Sequence, residues 1–139
     1  MLSPKKRVFV DTSAFIALRD SRDINHHRAK GFQRELQRQR IQLLTTNFIF
    51  DEVYTYFSRH HKVAIEMGKY MRNSPGIIVY NRITAEDENR AWEIAKKFSD
   101  KTFSFTDCTS FAFCERLRVK DVFAFDEHFG QYGKFNVLP

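Results

Sequence analysis

A chain of 139 residues that is 42% hydrophobic and 15% aromatic holds enough apolar material for one domain with a two- or three-layer core. Its five Gly and three Pro exclude a low-complexity or disordered chain. The formal charge of +6 favours polyanionic partners, although Lys and Arg that only keep an aromatic-rich domain in solution give the same balance. Cys108 and Cys114, six apart on an expected helix, form no metal-type pair and fit a reduced cytoplasmic compartment. The charged start, Met1 to Lys6, leads into too short an apolar run for a leader, and no run reaches transmembrane length, so we expect no membrane association.

The first expected element is a strand over 7–10, an apolar run that stops at Asp11. Such short β-branched and aromatic runs lie buried in parallel sheets, whose ligands bind beyond the carboxyl ends of the strands. Thr12 or Ser13 can cap a short helix through Arg19, and Asp20 to Asn25 is a polar break. The next helix, about His26 to Gln39, has a thin apolar stripe of Ala29, Phe32 and Leu36. Its other face repeats His27, Lys30, Arg34 and Arg38, with Glu35 the one acid between His26 and Arg40, so a basic ridge is expected to stay in solvent.

Ile41 to Leu44 reads as the second strand, and Thr45-Thr46-Asn47 offers caps for a helix through about Arg59. Within it Ile49, Val53, Tyr56 and Phe57 mark the inward face, with Glu52 in the same stripe and Asp51 on the polar side. A helix over Val63 to Arg72 stops at Asn73-Ser74-Pro75-Gly76. A third strand at Ile77 to Tyr80 follows, then a helix to about Phe98 opened by a Thr84/Asp87 capping box. Ser104 or Thr106 caps a helix over 107–118, Val122 to Phe125 is the fourth strand, and Phe135 to Leu138 a short last one. This alternation predicts a three-layer α/β/α sandwich around a mostly parallel sheet of four or five strands, in one domain over 1–139.

Four acids sit where a charge needs a reason: Asp11 at a strand end, Glu52 in an apolar stripe, Asp107 opening a Phe-rich helix, and Asp126 closing the run before it. Singly, Asp107 serves as a helix N-terminal residue, Asp126 as a turn residue and Glu52 as the partner of an arginine. Jointly, with no Lys or Arg beside any of them, four crowded carboxylates would repel one another unless a divalent cation joined them. All-oxygen ligation suits Mg2+, with Mn2+ also possible.

The stretches Val10-Asp11-Thr12-Ser13-Ala14-Phe15, Glu52 on its helix, Ser104-Phe105-Thr106-Asp107-Cys108 and Phe123-Ala124-Phe125-Asp126-Glu127-His128-Phe129 resemble the four acidic motifs of the PIN domain, most closely those of VapC-type toxin ribonucleases. The resemblance implies a metal-dependent endoribonuclease in which Asp11, Glu52, Asp107 and Asp126 bind the metal and carry catalysis. Thr12 or Ser13 and Thr106 would support the acids beside them. It also implies products with a 5′-phosphate and a 3′-hydroxyl, an antitoxin protein as partner, and a homodimer. Three positions depart from the family's pattern: Cys108 stands where many members have alanine, Ala124 where a hydroxyl is common, and His128 where a further acid is common.

Other constellations are weaker. The pairs His26-His27 and His60-His61 point their side chains in different directions on a helix, and no glycine-rich phosphate loop or nucleophile elbow is present. A receiver domain would need paired acids after the first strand and a lysine after the last. A non-catalytic RNA-binding adapter, or an RNA-processing PIN domain outside any toxin-antitoxin system, stays open. Lys30, Arg34 and Arg38 are the expected contacts to RNA. Tyr54, Met67, Tyr70 and Met71, outside the main stripes, are the expected surface for the dimer unless they turn into the core.

Overall fold

The structure is a computed structural model that describes residues 6–139. All of Met1 to Lys6 except Lys6 therefore lies outside the described residues. Strand β1 (Arg7–Val10) is followed by α1 (Thr12–Arg19), α2 (His26–Arg38), β2 (Gln42–Thr46), α3 (Asn47–Phe57) and α4 (His61–Arg72). Then come β3 (Ile78–Asn81), α5 (Ala85–Lys97), α6 (Phe105–Leu117), β4 (Asp121–Phe123), α7 (His128–Tyr132) and β5 (Asn136–Leu138). The strands form one sheet in the order β3-β2-β1-β4-β5, every neighbouring pair parallel.

β1 is central, paired with β2 on one side and β4 on the other, so its side chains are covered on both faces. That is why Val8, Phe9 and Val10 are all buried and read as a continuous apolar run. Alternation sends Phe9 toward Phe113 of α6 and Phe129 of α7. Phe123, paired in register with Val10, points the other way, edge-on to Phe32 of α2. α1 packs on α2 and α5 on α6, which completes helical layers on both faces of the sheet and bears out the sandwich.

Several boundaries differ from those the sequence suggests. β2 runs on to Thr46, whose side chain then caps α3 by accepting the Ile49 N–H at 3.3 Å. β4 stops at Phe123, so Asp126 stands in the loop three residues beyond the strand rather than at its end. α7 has no strong apolar period because it is five residues long, ended by Gly133 at φ 84°. Both cysteines are buried and free, and burial pushes the Cys108 thiol up to about 11.

The expected dimer surface also changes. Met67 and Met71 are buried, and Tyr54 and Tyr70 are half-buried against the same core, with the Phe15 ring edge-on to Tyr70. α3 and α4 pack on each other, and the apolar side chains that the sequence alone left without a partner turn into or against the core. Among the described residues no helix is long and apolar enough to cross a membrane.

Candidate metal centre

The parallel sheet delivers β1 and β4 to the same edge, and the chain leaves each strand there into a carboxylate-bearing turn. Asp11 follows β1 directly, its backbone N–H donating to Phe123 O at 3.0 Å. It caps α1 itself, its Oδ2 accepting the Ser13 N–H at 3.3 Å and the Ser13 hydroxyl at 2.7 Å. The short polar side chain in extended conformation satisfies an otherwise unpaired amide of the first turn, the role expected of Thr12 or Ser13. Ser13 Oγ accepts in turn from the Phe125 N–H at 2.9 Å, tying the loop that carries Asp126 to the start of α1.

Glu52 reaches the same place from α3. Ile49, Val53 and Phe57 fill the core, whereas Tyr56 is 52% exposed, so Glu52 faces a cleft beside the apolar stripe rather than the core. Thr12 Oγ1 donates to Glu52 Oε1 at 2.5 Å. Thr12 therefore supports the acid of another helix, and Ser13 alone supports Asp11.

Asp107 enters from the first turn of α6 through a reciprocal capping box: it accepts the Ser104 N–H at 2.9 Å while Ser104 Oγ accepts the Asp107 N–H at 3.0 Å. Thr106, the expected support, contributes its carbonyl to the Thr109 hydroxyl at 2.6 Å, and among the described residues its side chain makes no hydrogen bond. Ser104 takes the role because an N-cap side chain reaches the third residue of its helix.

Asp126 closes the group, its Oδ1 accepting the His128 N–H at 3.0 Å. His128 turns its ring back so that Nδ1 lies 2.7 Å from Asp107 Oδ2, and the Phe103 ring packs edge-on against it. One donor atom from each of Asp107, Asp126 and His128 lies within 4.8 Å of the others, a spacing that could hold a cation. Glu52, Asp107, Asp126 and His128 line a cleft of about 560 Å³ with Thr12, Ser13, Ile16, Asp51, Thr55, Tyr56 and Ser104. Asp11 lies behind that wall at 2% exposure.

Among the described residues no Lys or Arg lines this cleft, and the carboxyls register it. Desolvation, joined by the charge and hydrogen-bonding contact of Asp126, holds the Asp11 carboxyl well above the usual range against the pull of Ser13. Glu52 is raised by desolvation, with the Thr12 hydrogen bond opposing and Asp107, Asp126 and Asp51 adding repulsion. Asp107 is raised by desolvation against the opposing Ser104 amide and His128. Buried carboxyls left uncompensated by cations fit a divalent ion with oxygen ligands, and the His128 ring adds a nitrogen.

Among the neighbours of the cleft that sequence did not assign to it are Asp51 and His128. Asp51 is exposed, as its helical position predicts, yet it lines the cleft beside Glu52. His128 stands where the family commonly has an acid, and only the fold of the loop after β4 reveals that its ring turns to Asp107.

The basic ridge is exposed along α2, as expected. Arg38 is held by Glu35 at 2.5 Å, and Lys30 lines a separate recess with Arg19, Gln33, Glu66, Met67 and Tyr70. Lys30, Arg34 and Arg38 thus do not join the four acids in the cleft.

The chain is thus an α/β sandwich with an all-parallel five-stranded sheet and a carboxylate-lined cleft at the carboxyl edge of that sheet. The PIN domain family's model matches residues 8–135, and the chain belongs to that family. It is similar to the 23S rRNA-specific endonuclease VapC20 of Mycobacterium tuberculosis, in strains CDC 1551 / Oshkosh and ATCC 25618 / H37Rv. Each is 29% identical over 134 residues, covering 95% of this chain and 98% of the relative. The crystal structure of Mycobacterium tuberculosis VapC20, described as a Sarcin-Ricin loop cleaving toxin, superposes with a TM-score of 0.83 at 30% identity. That match covers 95% of this chain and 99% of the other.

Proposed function

We propose that this chain is an endoribonuclease that hydrolyses RNA phosphodiester bonds with Mg2+ or Mn2+, as the toxin of a type II toxin-antitoxin pair. The observation that carries the reading is that Glu52, Asp107 and Asp126 line one cleft, with the buried Asp11 behind them, and that no Lys or Arg among the described residues lines it. Similarity over nearly the whole length to an endonuclease named for 23S rRNA supports RNA as the substrate class.

In this reading the four acids, with His128 beside them, would hold the cation. When bound, it supplies positive charge that lowers the pKa of a water and offsets the charge developing on the phosphate. The chain's own groups do the positioning. Ser13 fixes the Asp11 carboxylate, which would help hold the cation and orient the attacking water. Thr12 holds one oxygen of Glu52, while Ser104 and His128 hold Asp107. Water attack on phosphorus with departure of the 3′ oxygen, as the family resemblance implies, would leave a 5′-phosphate and a 3′-hydroxyl.

Lys30, Arg34 and Arg38 belong to the proposal as contacts to the RNA backbone outside the cleft. So do a cytoplasmic location, where RNA is found, and a separate antitoxin chain. The homodimer would use a different surface from that first expected. On α4 Ile65 is 39% exposed, whereas Met67 and Met71 serve the core.

The test is incubation of the purified chain with labelled RNA and single-stranded DNA in Mg2+, Mn2+ or chelator. Cleavage of RNA that needs the cation and disappears in Asp107→Asn is the expected result. Cleavage that persists in excess chelator contradicts the metal-dependent reading.

A further inference from the structure

Beside the acid cleft lies a second recess of about 340 Å³, walled among others by Arg19, Asp20, Arg22, Tyr56, Arg59 and His60. Its size is that of a small-ligand site, about 300 Å³ or more. Tyr56 lines both the recess and the acid cleft. Its ring is 52% exposed although Ile49, Val53 and Phe57 of the same helix fill the core. Two contacts hold it upright: the Phe57 ring, edge-on at 4.9 Å, and Asp20, whose Oδ2 accepts the Tyr56 hydroxyl at 3.1 Å.

The charge of the two compartments is opposite. In the recess Arg22 is taken by Asp20 at 3.3 Å and Arg19 by Glu66 outside it, while Arg59 makes no ion pair among the described residues. An exposed ring with fixed orientation between an acid cleft and an uncompensated guanidinium matches the two parts of a nucleotide. Bases stack on aromatic faces whatever their sequence, and backbone phosphates follow cations.

We propose that Tyr56 and Arg59 form a nucleotide subsite next to the acid cleft, where a base of single-stranded RNA stacks on the Tyr56 ring and the adjoining phosphate enters the cationic recess. The proposal rests on the ribonuclease reading for the identity of the ligand. A base can reach the ring only when it is free of a duplex stack, so the subsite selects unpaired nucleotides. It would also offset the repulsion that the carboxylate cleft exerts on a phosphate backbone.

The test uses the full chain carrying Asp107→Asn, which leaves RNA uncut, titrated with a short fluorescent single-stranded RNA in the presence of Mg2+. Tyr56→Ala weakens binding about tenfold, and Tyr56→Phe restores it because the ring remains. Arg59→Gln lowers the magnitude of the salt slope by about 0.7. In the cleaving background the Tyr56→Ala loss falls on KM rather than kcat. RNA binding that neither Tyr56→Ala nor Arg59→Gln alters overturns the subsite and leaves the recess to a protein partner. Tyr56-dependent binding by a wild-type chain that cuts no RNA upholds the subsite and overturns the ribonuclease reading instead.

Discussion

His128 Nδ1 lies 2.7 Å from an oxygen of Asp107, while the His128 backbone N–H holds Asp126 at 3.0 Å. One residue thus fixes two acids that come from opposite ends of the α6–β4 segment. The same ring places a nitrogen among donors that are otherwise oxygens. An imidazole nitrogen is accepted more readily by a first-row transition ion, Mn2+ included, than by Mg2+, which takes carboxylates and water.

His128→Ala is therefore expected to weaken Mn2+ binding about tenfold, the scale of a lost supporting contact, and to weaken Mg2+ binding less. Calorimetric titration of wild type and variant with both ions checks this. Equal losses for the two ions would show that the ring only orients Asp107.

Ser13 has two duties, donating to Asp11 and accepting from the Phe125 N–H. Ser13→Ala removes both and leaves a backbone donor in a half-buried loop without its partner. A cost of about 2 kcal/mol is expected, as for an unsatisfied buried group. Cleavage should fall as well, because Asp11 loses its support and the loop bearing Asp126 loses its tie. Chemical denaturation and initial rates measured on the same preparation separate the two effects; unchanged stability would place the Phe125 amide in water.

What sequence revealed and what it hid follows from the range of the interactions. Asp11, Glu52, Asp107 and Asp126 were legible because each breaks a local apolar pattern, and their gathering follows from parallel strands delivering their carboxyl ends to one edge. The Thr84 capping box was legible because it closes within one helical turn. Thr12 was assigned to its neighbour but bonds Glu52, 40 residues away, a pairing set by how α1 crosses α3. The same crossing problem hid the fate of Met67 and Met71, whose partners lie on other elements. Asp51 shows the converse, since helical spacing gave its exposure correctly but not the cleft beside it.

The basic ridge gives a prediction that the structure narrows. Arg38 is bonded to Glu35 through two nitrogens, at 2.5 and 3.2 Å, whereas Lys30 and Arg34 make no ion pair among the described residues. In the Asp107→Asn background, replacing Lys30, Arg34 and Arg38 by Gln should lower the magnitude of the salt slope of RNA binding by about 1.4, two contacts at about 0.7 each. Three contacts in full would lower it by roughly two units. An unchanged slope would show that α2 faces away from the RNA.

The last prediction concerns pH and the cation together. Asp11, Glu52 and Asp107 all bind protons more tightly in the fold than free carboxyls do, with desolvation the largest cause at each. A group with a raised folded pKa gives a contribution to stability that is fully present below its unfolded value, about 4, and is lost as pH rises through the folded value. These three groups therefore make the metal-free chain less stable at about pH 8 than at about pH 5. Asp87 works in another window. Desolvation, the largest influence on it, is outweighed by Arg116 and the Thr84 cap, so its carboxyl is lowered. Its contribution is present above about 4 and lost only as pH falls below that, which leaves the interval from about pH 5 to 8 to the cleft acids. A divalent cation neutralises the repulsion where the carboxyls are charged, and at a hundred times its Kd it adds about 2.7 kcal/mol. Thermal unfolding in chelator should thus show a midpoint that falls with rising pH, and Mn2+ should raise it more at about pH 8 than at about pH 5. Asp107→Asn should flatten the fall in chelator and reduce the gain from Mn2+. A metal-free midpoint that does not fall, with a cation effect equal at both pH values, would mean that the carboxylates do not share one site.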